Sequence, residues 1–129
     1  MLEVLKKYFG TEVNLCKQKD ELTLPIFLAV RERYRVSING ISFVVVCVKQ
    51  DESYGIVAIK KQVAHYEEEL QCNVAFVYNT ITRAQRDALL RNNIPFISLN
   101  PEQIYLPFLG FILNENFKII IKKVYAQLA

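Results

Sequence analysis

The 129-residue sequence has no tryptophan, one methionine, one histidine and only four, widely separated glycines. Scattered glycines exclude a GxGxxG or Walker phosphate-binding loop. The single histidine, His65, has no companions for a metal site or a Ser-His-Asp triad. No stretch reaches the ~18 consecutive apolar residues that cross a bilayer, and residues 1–7 lack the apolar core of a signal peptide. We therefore expect no cofactor, no metal ion and no membrane association.

Cysteine is also scarce, with Cys16, Cys47 and Cys72 far apart in the chain. An odd number at wide spacing excludes a disulfide framework and a CxxC zinc knuckle. Cys47 lies in the apolar run 43–48, where a thiol behaves as a small buried hydrophobe. This cysteine usage indicates a reducing, cytoplasmic environment.

What the chain does contain is the composition of a soluble globular domain, with 52% hydrophobic and 22% charged residues. Its net charge of +3 is too small to indicate nucleic-acid binding by itself. A chain of this length fits one domain. We expect a single α/β domain over residues 1–129, with a mixed sheet of four or five strands flanked by helices.

The clearest local pattern is a β-hairpin closed by Asn39-Gly40, a pair typical of a two-residue type I′ turn. That turn would place Ile38 opposite Ile41. The strand after the turn is apolar on both faces and is predicted to lie inside the sheet. The strand before it carries charged side chains and is predicted to lie at an edge.

The remaining helices and strands are predicted from the spacing of apolar residues and from the residues that begin or end each element. Apolar residues that recur every three or four positions predict helices over residues 2–9 and 56–70. A capping box at Thr82 and Gln85 predicts the start of a third helix. Short strands are predicted at 74–78, parallel to the inner hairpin strand, and at 94–97 and 104–106. Residues 11–23 are interpreted as a loop, and 24–30 as buried without a choice between helix and strand.

The end of the chain carries a broad apolar stripe, which predicts a C-terminal helix over residues 110–129. A stripe this wide exceeds what a solvated terminal helix needs. It would pack against the sheet, or against a second subunit or domain, and a homodimer through this helix is one expectation.

The order of hairpin, buried strand and helix resembles the restriction-endonuclease-like, or PD-(D/E)xK, superfamily. In that family an acid-x-lysine motif follows the hairpin, and some members carry Gln-x-x-x-Tyr on the next helix. Lys49 fits the lysine position, and Gln62 and Tyr66 fit the helix motif, but Cys47 stands where a metal-binding acid is expected. Asn39 is the nearest polar candidate for the upstream aspartate. The resemblance implies the fold without the activity, since Mg²⁺-dependent cleavage needs carboxylates.

A second resemblance covers roughly residues 24–110 and involves the N-terminal part of bacterial MarR-like transcriptional regulators. The similar segments are residues 24–28, 59–62, 74–78, 85–86, 94–97 and 103–109. In those regulators a winged-helix domain follows, so the resemblance implies an N-terminal module whose DNA-reading helix would lie beyond Ala129.

These patterns predict a non-catalytic module of a DNA-associated transcriptional regulator, used for dimerisation, sensing or auxiliary DNA contact. A phosphate-facing patch on one helix would consist of Arg83, Arg86 and Arg91. The alternatives are a component of a defence system and a metal-dependent nuclease that takes its acids from elsewhere. For the nuclease the candidate acids are Glu32, Asp51 and Glu52.

Overall fold

The computed structural model describes residues 1–10, 13–17, 31–38, 40–49 and 55–113. These residues form three α-helices, seven β-strands and one 3₁₀ turn. The helices are α1 (Leu2–Phe9), α2 (Ile56–Leu70) and α3 (Arg83–Arg91). The strands are β1 (Val13–Lys17), β2 (Arg33–Ile38), β3 (Ile41–Cys47), β4 (Asn73–Thr80), β5 (Phe96–Asn100), β6 (Glu102–Leu106) and β7 (Phe111–Leu113), and the 3₁₀ turn covers Pro107–Leu109.

All seven strands join one mixed sheet in chain order. The central strand β4 runs parallel to both of its neighbours, β3 and β5. The other neighbouring pairs are antiparallel: β1 with β2, β2 with β3, β5 with β6, and β6 with β7. Parallel neighbours require crossovers, which α2 and α3 supply. The α/β class and the mixed sheet are confirmed, but the predicted count of four or five strands is wrong.

The two extra strands come from segments to which the sequence analysis gave other structures. Val13–Lys17, within the predicted loop, forms the edge strand β1, in which Val13 is buried and Asn14 is exposed. Phe111–Leu113, within the predicted C-terminal helix, pairs with β6 instead. A short apolar run does not distinguish strand from helix by periodicity. Residues 114–129 of that predicted helix, and the segment 24–30, lie outside the described residues.

The hairpin has the predicted register, with Ile38 opposite Ile41, and β3 lies inside the sheet as expected. Asn39 lies outside the described residues, and Gly40 has the positive φ of 82° that such a turn requires. The edge position predicted for β2 is wrong, because β1 pairs along it. Its Arg33 side chain is only 2% exposed and donates a 2.7 Å hydrogen bond from Nη1 to the carbonyl oxygen of Arg31.

The helices begin and end close to the predicted residues. α2 has the predicted bounds. α1 ends at Phe9 and is capped by Gly10, whose N–H donates to the Lys6 carbonyl. α3 begins with the predicted capping box. The backbone N–H of Gln85 donates to the Thr82 hydroxyl at 3.1 Å, and the Gln85 side chain accepts from the Thr82 N–H at 2.9 Å. Two of the four orphan N–H groups of this helix start are thereby satisfied.

Two apolar layers cover the two faces of the sheet. On one face α2 and α3 pack over Val44, Val46 and Phe76. On the other, α1 packs through the fully buried Leu5 over Phe43, Val45 and neighbouring side chains. Because side chains alternate along β3, Val46 and Cys47 belong to different faces. This alternation decides which side chains meet at the end of β3.

Candidate functional site

Glu32 and Cys47 lie opposite each other where β2 begins and β3 ends. The N–H of Cys47 donates a 2.9 Å hydrogen bond to the Glu32 carbonyl, continuing the pairing of Arg33 with Val46. Opposed residues in an antiparallel pair project to the same face. Tyr34, two residues along β2, donates from its hydroxyl to the Glu32 carboxylate at 3.3 Å. A carboxylate, a phenol and a thiol therefore gather on the face that α1 covers.

These side chains line two adjoining cavities. One, of about 350 Å³, is bounded by Glu32, Cys47, Val48 and Lys49. The other, of about 370 Å³, shares the first three of these residues and extends under α1 to apolar side chains that include those of Leu2, Leu15 and Leu99. Glu32 and Lys49 are exposed, so the polar groups lie at the opening and the apolar ones beneath.

The electrostatics of this site oppose additional negative charge. Burial raises the pKa of the half-buried Cys47 thiol above 9.0, and the Glu32 carboxylate raises it further. Burial also raises the pKa of Tyr34 above 10.0, with Glu32 and then Cys47 contributing in the same direction. A thiol with a raised pKa is protonated at neutral pH, and only a thiolate acts as nucleophile or metal ligand. Cys47 is therefore a neutral neighbour of Glu32.

Among the described residues that line these cavities, Glu32 is the one carboxylate. Within residues 1–10, 13–17, 31–38, 40–49 and 55–113, no three His, Cys, Asp or Glu side chains group closely enough to hold a metal ion. Mg²⁺ is normally held through one or two protein carboxylates in near-octahedral oxygen geometry. Glu32 supplies one such group, and Asp51 and Glu52 lie outside the described residues.

Asn39, the candidate counterpart of the upstream aspartate, lies outside the described residues. Its chain neighbours Ile38 and Gly40 lie where β3 begins, whereas Cys47 ends that strand. At about 3.3 Å per residue, the two ends of β3 are roughly 20 Å apart. Glu32 occupies the position beside Cys47, because the strand that starts after it runs antiparallel to β3. The sequence analysis named Glu32 among the candidate acids and predicted the strand that follows it at the edge of the sheet.

The four residues that were compared with the endonuclease-like motifs, Cys47, Lys49, Gln62 and Tyr66, do not form one cluster. Cys47 and Lys49 line the cavity on the α1 side. Gln62 and Tyr66 lie on α2, which packs on the other face of the sheet. Tyr66 is fully buried and packs edge-on against Phe76, with ring centroids 6.1 Å apart. It is therefore a core side chain.

Gln62 has a partner that the sequence analysis missed. Its Oε1 accepts a hydrogen bond from Nη1 of Arg31. The Arg31 side chain is 4% exposed, and its guanidinium lies 5.3 Å from the centre of the Phe76 ring. A buried cation over an aromatic face is a stabilising arrangement. The sequence did hold a signal for this contact: arginine occurs at every second position, at 31, 33 and 35. Alternate residues of a strand share one face of the sheet, so these arginines could have been assigned to one face.

The three arginines of the predicted phosphate patch differ in exposure. Arg83 and Arg91 are exposed on α3, and Arg91 donates from Nε to the Asp87 carbonyl at 3.2 Å. Arg86 is buried and pairs with the Asp87 carboxylate at 3.2 Å. A solvent-facing patch on this helix therefore consists of Arg83 and Arg91, and DNA contact stays a prediction.

Comparison of the chain with protein-family models, curated proteins and solved structures found no significant match. Among the helices of the described residues, none is both long and apolar enough to cross a membrane.

Proposed function

We propose that this chain is a non-catalytic, restriction-endonuclease-like module of a bacterial DNA-associated transcriptional regulator, serving in sensing, dimerisation or auxiliary DNA contact. Its nuclease-like position at the end of β3 holds a ligand or a neighbouring domain instead of cutting DNA. The family part of the proposal depends on the similarity of the sequence to MarR-like regulators and to the endonuclease-like superfamily.

One observation carries the proposal: the Glu32 carboxylate faces the neutral thiol of Cys47, where a metal-dependent nuclease needs a second carboxylate. Metal-assisted cleavage requires an ion that stabilises charge on the phosphate and generates hydroxide from water. The one carboxylate that the described residues bring to this position, beside a protonated thiol, holds such an ion weakly. The cavities at this position nevertheless remain open, with Lys49 and Glu32 at the entrance.

A cleavage assay tests the absence of catalysis. The purified chain is incubated with supercoiled plasmid, linear duplex and single-stranded DNA in 10 mM Mg²⁺ or Mn²⁺, with Lys49→Ala as the matched control. We expect no products from either protein beyond those of a buffer blank. Cleavage by the wild-type chain that Lys49→Ala loses would overturn the proposal.

The nuclease remains the second candidate, because the structure brings Glu32 and Lys49 to one cavity although they are 17 positions apart in the chain. An active nuclease would use Glu32 as its acid and Lys49 to orient water or phosphate. In the same assay, Glu32→Gln separates the two candidates, since only a genuine metal-dependent activity would require this carboxylate.

Auxiliary DNA contact is tested through the two exposed arginines of α3. Contact with phosphates makes duplex binding weaken with salt, with a slope of log affinity against log salt that falls by about one for each lost contact. We expect Arg83→Ala/Arg91→Ala to weaken low-salt binding of duplex DNA and to lower that slope. Lack of any binding at 50 mM salt would remove DNA contact from the proposed role.

A further inference from the structure

The two adjoining cavities at the end of β3 combine opposite charges at their opening with apolar side chains beneath. Glu32 and Lys49 line the cavity of about 350 Å³, together with Cys47 and Val48. Both charged residues are exposed, so a ligand can reach them from solvent. A carboxylate and an ammonium at one opening fit a ligand that carries both complementary charges.

The strands place these two charges on either side of Cys47. Glu32 lies opposite Cys47, whose N–H donates to the Glu32 carbonyl at 2.9 Å. The N–H of Val48 donates to the Val77 carbonyl at 2.9 Å, which continues the pairing of β3 with β4. Lys49 lies two residues beyond Cys47, about 7 Å further along extended backbone, where alternate residues share a face. Its place in the same cavity as Cys47 agrees with this alternation.

The Glu32 carboxylate is oriented by Tyr34, whose hydroxyl donates to it at 3.3 Å. Both residues line the second cavity, as does Asn79. An ionised carboxylate has about four acceptor sites, so Glu32 can accept from a ligand ammonium while it accepts from Tyr34. A hydrogen bond between two charged groups is stronger than one between neutral groups. Glu32 is therefore suited to hold an ammonium at the opening.

The second cavity provides space for an apolar group. Its volume is about 370 Å³, and it extends beneath α1 to Leu2, Leu15, Val77 and Leu99. An apolar cavity of roughly 150 Å³ accommodates benzene, so this space accommodates a phenyl or a branched aliphatic group. Because Glu32 lines both cavities, the charged end and the apolar group can belong to one molecule.

We propose that these joined cavities bind a free α-amino acid with an apolar side chain. The ligand ammonium pairs with Glu32, the ligand carboxylate pairs with Lys49, and the apolar side chain lies beneath α1. A ligand with a carboxylate alone would meet repulsion from Glu32, and one with an ammonium alone would meet repulsion from Lys49. The amino acid would be the ligand of the sensing role, so this assignment rests on the proposed function.

Calorimetric titration of L-phenylalanine into the purified chain tests the proposal, and we expect saturable 1:1 binding. Three analogues each change one part of the ligand. Phenethylamine lacks the carboxylate, 3-phenylpropanoate lacks the ammonium, and L-alanine reduces the apolar group to a methyl. Each should bind at least tenfold more weakly than L-phenylalanine. Absence of saturable L-phenylalanine binding up to 20 mM, or equal affinity for any of the analogues, would overturn the proposal.

Substitutions of the two charged residues assign the two contacts. Glu32→Gln and Lys49→Ala should each weaken L-phenylalanine binding at least tenfold. Glu68→Gln and Lys60→Ala make the same changes at exposed positions of α2, on the other face of the sheet, and should leave the affinity within twofold. Circular dichroism establishes that each variant is folded, and the analogues test the same contacts on the wild-type chain if one is not. Unchanged affinity in folded Glu32→Gln or Lys49→Ala would overturn the proposal.

The DNA-cleavage assay separates the failure of this ligand assignment from the failure of the proposed function. If the chain neither cuts DNA nor binds L-phenylalanine, the ligand assignment is wrong and the module stays non-catalytic. Metal-dependent cleavage that requires Glu32 and Lys49 would overturn the proposed function, and with it the sensing role of the amino acid, whatever the calorimetry shows.

Discussion

Glu32 and Cys47 face each other at the end of the β2–β3 ladder, joined by the 2.9 Å hydrogen bond from the Cys47 N–H to the Glu32 carbonyl. This relationship places a carboxylate next to a thiol. Burial raises the pKa of the thiol, and the neighbouring carboxylate raises that pKa further. A second negative charge at this point is therefore unfavourable. A thiol that stays protonated beside a carboxylate is therefore a poor ligand for a metal ion here.

Cys47→Asp tests this account by introducing the missing acid. Two carboxylates at a half-buried site repel each other and lose hydration, so we expect the variant to be less stable than Cys47→Asn by about 1–3 kcal/mol at pH 7. Addition of Mn²⁺ should recover part of the loss, since an ion bound only by the folded state stabilises it. Urea denaturation with and without 5 mM Mn²⁺ measures both effects. Equal stability of the Asp and Asn variants would contradict the expected repulsion.

The hydrogen bond from Arg31 to Gln62 predicts a contrast between two substitutions at position 62. Gln62→Leu removes one hydrogen-bond acceptor of a buried cation and should lower the free energy of unfolding by about 1.5–3 kcal/mol. Gln62→Glu keeps an oxygen acceptor and adds a compensating charge, so it should retain most of the wild-type stability. Chemical denaturation at pH 7 compares the three proteins. If both variants lose the same amount, the acceptor oxygen is not what matters.

Glu102 of β6 contacts Lys7 and Tyr8 of α1 through its carboxylate. We expect these contacts to make the free energy of unfolding depend on pH. The Glu102 carboxylate accepts a 2.7 Å hydrogen bond from Tyr8 and pairs with Lys7 at 2.9 Å, which together lower its pKa below the ordinary 4.5. The folded state therefore binds fewer protons than the unfolded state as the pH falls through 4.5. The stabilisation is complete above about pH 5 and is lost as the pH falls through the folded-state pKa.

The matched variant for this prediction is Glu102→Gln, which removes the ionisation and keeps a polar side chain. Thermal unfolding from pH 7 to pH 3 should show the wild type losing its advantage over the variant below about pH 4.5. A difference in melting temperature that stays constant across this range would show that the carboxylate contributes no pH dependence.

The capping box at α3 predicts a smaller and more local effect. Thr82→Ala removes the hydroxyl that accepts from the Gln85 N–H and should cost about 1 kcal/mol. Thr82→Ser retains the acceptor and should be within a few tenths of a kcal/mol of the wild type. Urea denaturation gives the difference, and amide exchange at Gln85 localises it. A loss in Thr82→Ser as large as that in Thr82→Ala would assign the effect to the lost methyl group.

Local patterns predicted the local structure well. The Asn39-Gly40 pair fixed the hairpin register, the three-to-four spacing gave the bounds of α2, and Thr82 with Gln85 marked the start of α3. The edge strands β1 and β7 were missed because three to five residues carry too little periodicity. Their presence depends on pairing with β2 and β6, which is a property of the folded sheet.

The candidate site was predicted only in part, for a similar reason. Lys49 and Cys47 are close in sequence, and both line the cavity at the end of β3. Glu32 joins them through antiparallel pairing, and the sequence analysis assigned its strand to an edge. The pairing of β1 along that strand makes it internal. The charged Arg33 tolerates this position because its buried guanidinium donates to a backbone carbonyl. Gln62 and Tyr66 matched a motif by spacing, yet the sheet separates them from Cys47.

Calorimetric titration of Mn²⁺ into the wild-type chain tests most directly whether this site binds a divalent metal ion. The account predicts no saturable binding up to 5 mM Mn²⁺ at pH 7.5, and the same flat trace for Glu32→Gln. One-to-one binding with a dissociation constant below 1 mM, abolished in Glu32→Gln, would contradict it and favour an active metal-dependent nuclease.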